Sequence, residues 1–385
     1  MTFSTIDREA MALALTLAGQ GLATATPNPR VGCVIARAGE IVGQGWHRRA
    51  GEPHAEALAL AAAGKAAQGT TAYVTLEPCA HFGRMPPCAD ALAAAGVARV
   101  VAAMEDPNPK VAGRGLARLR AAGIAVECGL LADEARELNL GFVSRMTRQR
   151  PWLRLKAAAT LDGKTALENG VSQWITGPAA RADGHRWRAR ACAVLTGIGT
   201  VKADDPRLTV RDISCDRQPL RILIDARLEV APAARILQEV PALIVTASAD
   251  EARIQRFADL GHRVLRLPAP DGHVDLAALP RELAALELNE IHVEAGARLN
   301  GALLAAGCVD ELLLYLAPLA VGNAARGIFE LPALTALDAA TRFDIRDCQR
   351  VGDDLRIIAR LLSPTTPYNS LMERIPISGS SISDG

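Results

Sequence analysis

What most restricts the fold of this chain is a regular alternation, between residues 31 and 128, of short β-rich runs with Ala/Leu-rich helical runs that stop at glycines. Val31–Ala36 and Glu40–Trp46 are apolar runs joined through Arg37-Ala38-Gly39, the pattern of a hairpin. His54–Ala63 reads as a helix stopped by Gly64, Thr71–Leu76 as a strand, and Cys88–Ala95 as a helix stopped by Gly96. Val97–Ala103 is a further strand, Leu116–Ala122 a helix stopped by Gly123, and Ile124–Cys128 a strand. Helices tied to strands by such short connections must pack back onto the sheet, so the pattern predicts an α/β domain with a mostly parallel, helix-covered sheet. Ahead of it, Ser4 and Asp7 form a capping box that opens an amphipathic helix.

Near residue 150 the character changes. Arg145, Arg148, Arg150 and Pro151 precede a new apolar strand, Trp152–Ala159, and a second alternation follows. Its strands are expected at Ala193–Gly197, Leu220–Ile224, Leu243–Thr246, Ile291–Glu294, Glu311–Leu316 and Leu355–Leu361. We therefore expect two domains, 1–147 and 148–362, each long enough to bury a core without disulfide or metal support. From Ser363 on, Ser, Thr, Pro and Gly dominate, which predicts a disordered tail over 363–385.

Composition then excludes several partners. Lys and Arg total 43 against 42 Asp and Glu, a net charge of +1, so no cationic surplus exists to displace phosphate counterions. Aromatics are only 3%, too few for a base-stacking platform. The longest apolar stretch, Leu312–Val321, is too short to span a bilayer and contains Pro318. Met11–Ala18 followed by Ala23-Thr24-Ala25 imitates a leader peptide, but Asp7, Arg8 and Glu9 stand where a positive segment belongs. A cytoplasmic, small-molecule protein is expected, with exposed strand edges that would allow homo-oligomers. Of the eight cysteines, Cys33, Cys128, Cys192, Cys215, Cys308 and Cys348 lie far apart and read as reduced thiols.

Cys79 and Cys88 differ. His54-Ala55-Glu56 opens one helix, Glu77-Pro78-Cys79 ends a strand, and Pro86-Pro87-Cys88 opens another helix. One imidazole and two thiolates suit Zn²⁺, and three protein ligands leave a fourth position for water, the arrangement of a catalytic site. At a helix start Glu56 can face the same strand ends as His54 and shuttle a proton. Read singly, the cysteines are equally compatible with core thiols and His54 with a plain helix cap. The ordered set favours the metal.

This pattern resembles the H-x-E…P-C…C signature of zinc-dependent nucleoside and nucleobase deaminases, except that eight residues rather than two separate the cysteines. The long insertion, Pro78-Cys79-Ala80-His81-Phe82-Gly83-Arg84-Met85-Pro86-Pro87-Cys88, is similar to that of the riboflavin-biosynthesis pyrimidine deaminases, with Met85 where that family carries Thr. Pro27-Asn28-Pro29-Arg30-Val31-Gly32, Gly43-Gln44-Gly45-Trp46-His47 and Pro53-His54-Ala55-Glu56 match the same family, so the likeness covers most of residues 1–145. It implies a cytidine-deaminase-like three-layer domain in which His54, Cys79 and Cys88 hold zinc and Glu56 is the general acid/base. It further implies that Asn28 hydrogen-bonds the pyrimidine or its sugar, and that His47, His81 and Arg84 meet a ribose phosphate. Without the resemblance, Asn28 reads as a turn residue and His81 and Arg84 as a solvated loop.

In the second half, Val293-Glu294-Ala295-Gly296 leading into Leu299-Asn300-Gly301 is a strand that turns through glycine into a helix. That geometry suits a pyrophosphate at a helix N-terminus, and equally a plain tight turn. Together with Thr160-Leu161-Asp162-Gly163, Ser172–Gly177 and Thr200–Arg211, it resembles the reductase domain of the bifunctional riboflavin enzymes, from about Trp152 to Leu361. The resemblance implies a dihydrofolate-reductase-like α/β fold and NADPH held by Ala158, Trp174, Thr200, Asp204 and the turn Gly296, Ala297, Arg298, Leu299, Asn300, Gly301. It places substrate at Ser172, Arg188, Leu208, Arg211 and Glu294. Guanidinium forks make Arg188 and Arg211 plausible phosphate clamps, although either alone reads as a surface arginine. Lys156 and Asp204 are the ionisable groups nearest in type to a proton donor for the reduction.

The implied activity is bifunctional: zinc-dependent deamination of 2,5-diamino-6-ribosylamino-4(3H)-pyrimidinone 5′-phosphate, then NADPH-dependent reduction of its ribosyl group to ribityl. The rival reading is a zinc deaminase of another pyrimidine or of tRNA with a non-catalytic C-terminal binding domain. The near-neutral charge and the long insertion count against it. A zinc-stapled binding protein without catalysis is a third reading, and the open fourth position and Glu56 count against that one.

Overall fold

The structure, a computed structural model, describes residues 3–80 and 86–362. The insertion residues 81–85 and the tail expected over 363–385 lie outside the described residues. Helix α1 (Thr5–Gly19) begins at the expected capping box: Asp7 N donates to Ser4 Oγ at 3.1 Å, and Ser4 N donates to the Asp7 carboxylate at 2.9 Å. Asp7 also accepts from Tyr73 Oη at 2.8 Å and Arg99 Nη1 at 2.6 Å, which ties the helix start to the sheet. The Arg99 guanidinium holds this carboxyl well below the usual carboxylate range.

There follow β1 (Gly32–Arg37), β2 (Glu40–Trp46), α2 (Ala55–Ala63), β3 (Thr71–Val74), α3 (Cys88–Ala94), β4 (Arg99–Ala102), α4 (Arg114–Ala121), β5 (Ala125–Cys128), α5 (Ala132–Leu138) and α6 (Leu140–Arg148). The sheet order is β2-β1-β3-β4-β5. It is mixed rather than mostly parallel: β1 is antiparallel to both β2 and β3, and only β3-β4 and β4-β5 are parallel. The hairpin is the reason. It reverses β2 against β1, and α2 then carries the chain over β1 to β3, leaving β1 opposed to both neighbours.

Both faces of the sheet are covered. Val34 and Ala36 of β1 pack with Met11, Ala14 and Leu17 of α1, while Cys33 and Ile35, one residue out of phase, pack with Ala59 and Leu92. Helix α2 lies unusually close on β2, because a Cβ at Gly43 would fall 2.3 Å from Ala59 O and one at Gly45 2.7 Å from Ala55 O. Glycine at these two positions is what permits the approach.

The remaining elements are β6 (Trp152–Thr160), β7 (Lys164–Ala166), α7 (Pro178–Arg190), β8 (Ala193–Gly197), α8 (Ile198–Asp204), β9 (Leu220–Ile224), β10 (Ala242–Thr246), α9 (Glu251–Asp259), β11 (Arg263–Arg266), α10 (Leu279–Ala285), β12 (Glu290–Val293), α11 (Ala297–Ala305), β13 (Glu311–Ala317), β14 (Arg326–Gly327), β15 (Phe343–Val351) and β16 (Asp354–Leu361). Contacts group the chain into two compact units. One takes in the residues up to Leu153 together with Ala182–Gly296; the other takes in Arg154–Arg181 and the residues from Ala297 on.

In the first unit, β11-β10-β9-β8-β12 run parallel in that order, over a core of Val194, Leu223, Ile236, Ile244 and Phe257. A polar seam explains why Ala182–Gly296 groups with the first half. The buried Arg30 guanidinium pairs with the buried Glu290 carboxylate and also donates to Leu138 O at 2.6 Å and Arg190 O at 3.2 Å. Asn289 Nδ2 donates to Pro27 O at 2.9 Å, and Arg217 Nε to Ala23 O at 3.0 Å. In the second unit, β6 and β13 are parallel, and β13-β16-β15 are antiparallel. The buried Glu311 of β13 is paired with Arg154 of β6 and, at 3.1 Å, with Arg360 of β16. Strand β15 is largely polar and lies at the sheet's outer side, so it carries no apolar alternation to betray it in the sequence. No helix of the described residues is long and apolar enough to cross a membrane.

Candidate active sites

His54 is the N-cap of α2, Glu56 lies in that helix's first turn, Cys88 is the first residue of α3 with Pro87 as its cap, and Cys79 lies beyond the end of β3. Prolines 53, 86 and 87 precede both helix starts, where their fixed φ and missing N–H suit the entry into a helix. The three metal-type ligand atoms all lie within 4.8 Å of one another. His54 Nδ1 stands 3.3 Å from Cys88 Sγ and 3.7 Å from Cys79 Sγ. A tetrahedral zinc with its usual bond lengths separates such donors by about 3.5–3.8 Å, so the set fits that ion.

The electrostatics agree. Cys79 is pushed well down, foremost by the hydrogen bond from the Cys88 thiol and further by His54, while Cys88 is pushed up by the neighbouring Cys79 thiolate and by burial. Two adjacent thiols share one negative charge unless a cation lies between them, which is the chemistry of a metal-binding donor set. Glu56 is buried, and burial lifts its pKa to about 7 against the opposing pull of His54. Cys88 is hydrogen-bonded to Glu56, so the carboxyl does face the ligands although it is only two residues past His54.

Asn28 and His47 extend the site. Asn28 Nδ2 lies 3.0 Å from His47 Nε2, and His47 Nδ1 lies 3.1 Å from Pro53 O. The carbonyl requires a proton on Nδ1, which leaves Nε2 to accept from the amide: a neutral imidazole. Burial lowers the pKa of His47 in the same sense, and its ring packs edge-on to His54 at 5.4 Å. His81 and Arg84 lie outside the described residues.

Two participants went unnoticed in the sequence. Arg30 anchors the chain directly after Asn28 and Pro29, with Asn139 Oδ1 accepting from its backbone N–H at 2.8 Å. Glu77, buried two residues before Cys79, bonds to several backbone amides. The signal for Glu77 was a carboxylate at the end of an apolar strand, directly before Pro-Cys. For Arg30 no local signal exists, because its partners are remote in sequence.

The reductase-side candidates divide between the two units. In the first, the Arg188 guanidinium is paired bidentately with Glu294, Nη2 to Oε2 at 2.9 Å, and Nη1 donates to Thr209 O at 2.9 Å. His185 accepts from Arg211 N at 3.1 Å, and its pKa falls to about 4 through burial and the charges of Arg188 and Arg211. Leu208 is buried with φ of 54°, and Asp204 is exposed at the end of α8. Gly296 is exposed, and a Cβ there would meet nothing nearer than Thr200 Oγ1 at 4.0 Å, so an open backbone turn faces that hydroxyl.

In the second unit, Lys156 and Ala158 lie on β6, with Lys156 Nζ 5.9 Å from the Tyr315 ring centre. Ser172 is half-buried, and Trp174 is 68% exposed beneath the Arg181 guanidinium at 4.6 Å. Arg298 is exposed and Ala297 and Leu299 half-buried, whereas Asn300 and Gly301 turn inward. Asn300 Nδ2 donates to Ile328 O at 3.1 Å, and a Cβ at Gly301 would strike Glu330 O at 1.9 Å. The accessible part of the expected nucleotide turn is thus 296–299.

Comparison with known proteins bears on both sites. Residues 4–104 match the family described as the cytidine and deoxycytidylate deaminase zinc-binding region, and residues 151–357 match the RibD C-terminal domain. The riboflavin biosynthesis protein RibD of Escherichia coli is 50% identical over 361 residues, which cover 91% of this chain and 98% of the relative. The RibD of Haemophilus influenzae is 45% identical over 370 residues, 93% and 98% of the two chains. Among solved structures, Acinetobacter baumannii RibD superposes with a TM-score of 0.85 at 42% identity, covering 93% of this chain and 99% of the other. A diaminohydroxyphosphoribosylaminopyrimidine deaminase/5-amino-6-(5-phosphoribosylamino)uracil reductase from Thermotoga maritima gives 0.81 at 30% identity, with coverage of 93% and 99%.

Proposed function

The chain belongs to the RibD family of riboflavin-biosynthesis enzymes, a hydrolytic deaminase of the cytidine-deaminase-like fold joined to a reductase, and from that premise we propose which residues carry each reaction. Residues 1–147 deaminate 2,5-diamino-6-ribosylamino-4(3H)-pyrimidinone 5′-phosphate, and residues 148–362 reduce the product's ribosyl group to ribityl. What supports the first half is one observation: His54, Cys79 and Cys88 offer three zinc-type ligand atoms within 4.8 Å, beside a buried carboxyl, Glu56, with a pKa near neutrality. Zinc, when held by those three residues, supplies Lewis-acid activation of a water.

Glu56 takes a proton from the attacking water and delivers it to the leaving amine, a task for which a carboxyl poised near pH 7 is suited. Asn28 reads the edge of the pyrimidine, and His47, neutral and bonded to it, fixes its amide orientation while lining the way to the ribose. His81 and Arg84 complete the phosphate contacts in this reading.

For the reduction, NADPH supplies the hydride that adds at the sugar C1′, while the ring oxygen gains a proton. Thr200, Asp204 and the accessible turn 296–299 hold the nucleotide, with Ala158 and Trp174. In this reading Arg188, held by Glu294, and Arg211 grip the substrate phosphate, and Ser172 and Leu208 are further substrate contacts. Lys156 and Asp204 are the candidates for the proton. The enzyme is read as cytoplasmic and as acting on a small molecule, not on nucleic acid or at a membrane.

The test is NADPH consumption with the diaminopyrimidinone ribose phosphate as sole substrate and zinc present. Oxidation that disappears in Glu56→Gln, with zinc still bound, is the expected result. Ammonia release without oxidation sinks the reductase assignment, and normal deamination by Glu56→Gln sinks the role of that carboxyl.

A further inference from the structure

Glu77 has no part in the chemistry above, yet its environment is that of a residue with a task. It is 3% exposed, and its two oxygens accept four backbone N–H groups. Oε1 takes Gly115 at 2.7 Å and Leu116 at 3.2 Å; Oε2 takes Gly113 at 2.9 Å and Asp106 at 3.1 Å. A carboxylate offers about four lone-pair sites, so its capacity is spent. All four donors belong to the segment that leads from β4 into the first turn of α4. The Glu77 amide is bound there too, donating to Met104 O at 3.0 Å.

The next two residues inherit this clamp. Pro78 lies directly on the start of α4, since a Cβ at Gly115 would come within 1.8 Å of Pro78 O. Cys79 follows, its carbonyl accepting from Ala89 N at 3.2 Å and its sulfur from Cys88 N at 3.3 Å. Regular pairing of β3 ends at Val74; beyond it two backbone bonds, Thr75 N to Gly32 O at 3.1 Å and Glu77 N to Met104 O at 3.0 Å, carry the chain on, and the Glu77 side chain adds the four bonds that hold it last before the cluster.

Resting on the zinc reading of His54, Cys79 and Cys88, we propose that Glu77 is a positioning residue for the metal: by gathering four amides of residues 106–116 it sets where the Cys79 sulfur stands. The clamp needs an acceptor at both side-chain positions, because each oxygen meets two N–H groups. A glutamine would turn an NH₂ group toward two N–H donors, and the strand end would have to shift to relieve them. Groups behind metal ligands are known to tune affinity about 10–100-fold, and Glu77 acts one step further back, through the chain itself.

The experiment is zinc affinity of the full chain by chelator competition, with absorption spectra of the Co²⁺-loaded protein, for native, Glu77→Gln and Cys79→Ser. NADPH oxidation with the already deaminated substrate reports on folding. The expected result for Glu77→Gln is zinc bound about 10–100-fold more weakly, a shifted sulfur-to-cobalt band, and unchanged reduction. Native zinc affinity with a native cobalt spectrum overturns the proposal, as does a loss of zinc that travels with loss of reduction. If Glu77→Gln does not fold, Glu77→Asp keeps the charge but shortens its reach, and the same readouts decide. If Cys79→Ser binds zinc as the native chain does, the ligand reading itself has failed, and the Glu77 proposal falls with it.

Discussion

The two sets of candidate residues are distributed in different ways. The candidate metal ligands come from residues 54–88, and all of them lie in one compact unit, at two helix starts and beyond one strand end. The reductase candidates come from residues 156–301 and are divided between two units, with Arg188, Glu294, Thr200 and Gly296 in one and Lys156, Ser172, Trp174 and Arg298 in the other. A site of the first kind is nearly complete once a few neighbouring elements have formed. Residues scattered in the second way share no short motif, so each carries little meaning singly.

Mutations can break or sharpen this contrast. The largest effect is expected at Glu56: its replacement by Gln should cut kcat for deamination by about 10²–10⁴-fold, the usual worth of a general acid/base. Reduction measured with the deaminated substrate should be untouched; a parallel fall in both activities would show that the centres are not separable. Next comes Arg188→Lys, which replaces the bidentate fork on Glu294 with a single contact. Loss of a charged hydrogen bond is worth roughly 2 kcal/mol, so kcat/KM for reduction should fall about thirtyfold while zinc content and deamination hold.

A comparable effect, on stability alone, belongs to Asp7. Its carboxyl is held below the usual range by Arg99, so the stabilisation it lends is fully present above the unfolded-state value of about 4 and drains away as pH falls below it. Asp7→Asn should therefore cost roughly 2 kcal/mol at pH 7 in urea unfolding, and less at pH 3, where the unfolded carboxyl is largely protonated while the folded one is still ionised. An equal cost at both pH values would refute the charge argument. The smallest effect is expected from Trp174→Ala. This side chain is 68% exposed and stacked by Arg181, a contact worth about 0.5–1 kcal/mol, so unfolding should barely change. A rise in KM for NADPH without loss of stability would mark it as a cofactor contact, and an unchanged KM would remove it from that set.

The legible parts of the molecule were those whose physics is local. The capping box at Ser4 and Asp7, the hairpin through Gly39, the helix stops and the His-x-Glu and Pro-Cys segments each depend on a few adjacent residues. Strand β15 was hidden because its largely polar face needs no alternation. The mixed direction of the first sheet was hidden because propensity marks a strand without orienting it. Asn300 and Gly301 read as part of a phosphate turn, yet their surroundings at 328–330 hold them inward, which no spacing within the turn could disclose.

By itself the sequence determined the metal-type donors, the carboxyl beside them and the α/β alternation that carries them, because ligand chemistry and helix entry are properties of residue types and short spacings. Only the tertiary structure decided that Glu77 binds four amides of a distant loop, and that Arg30 meets Glu290. Those are burial decisions. A charged group withdrawn from water must find partners wherever the fold brings them, and that geometry is written in no local pattern.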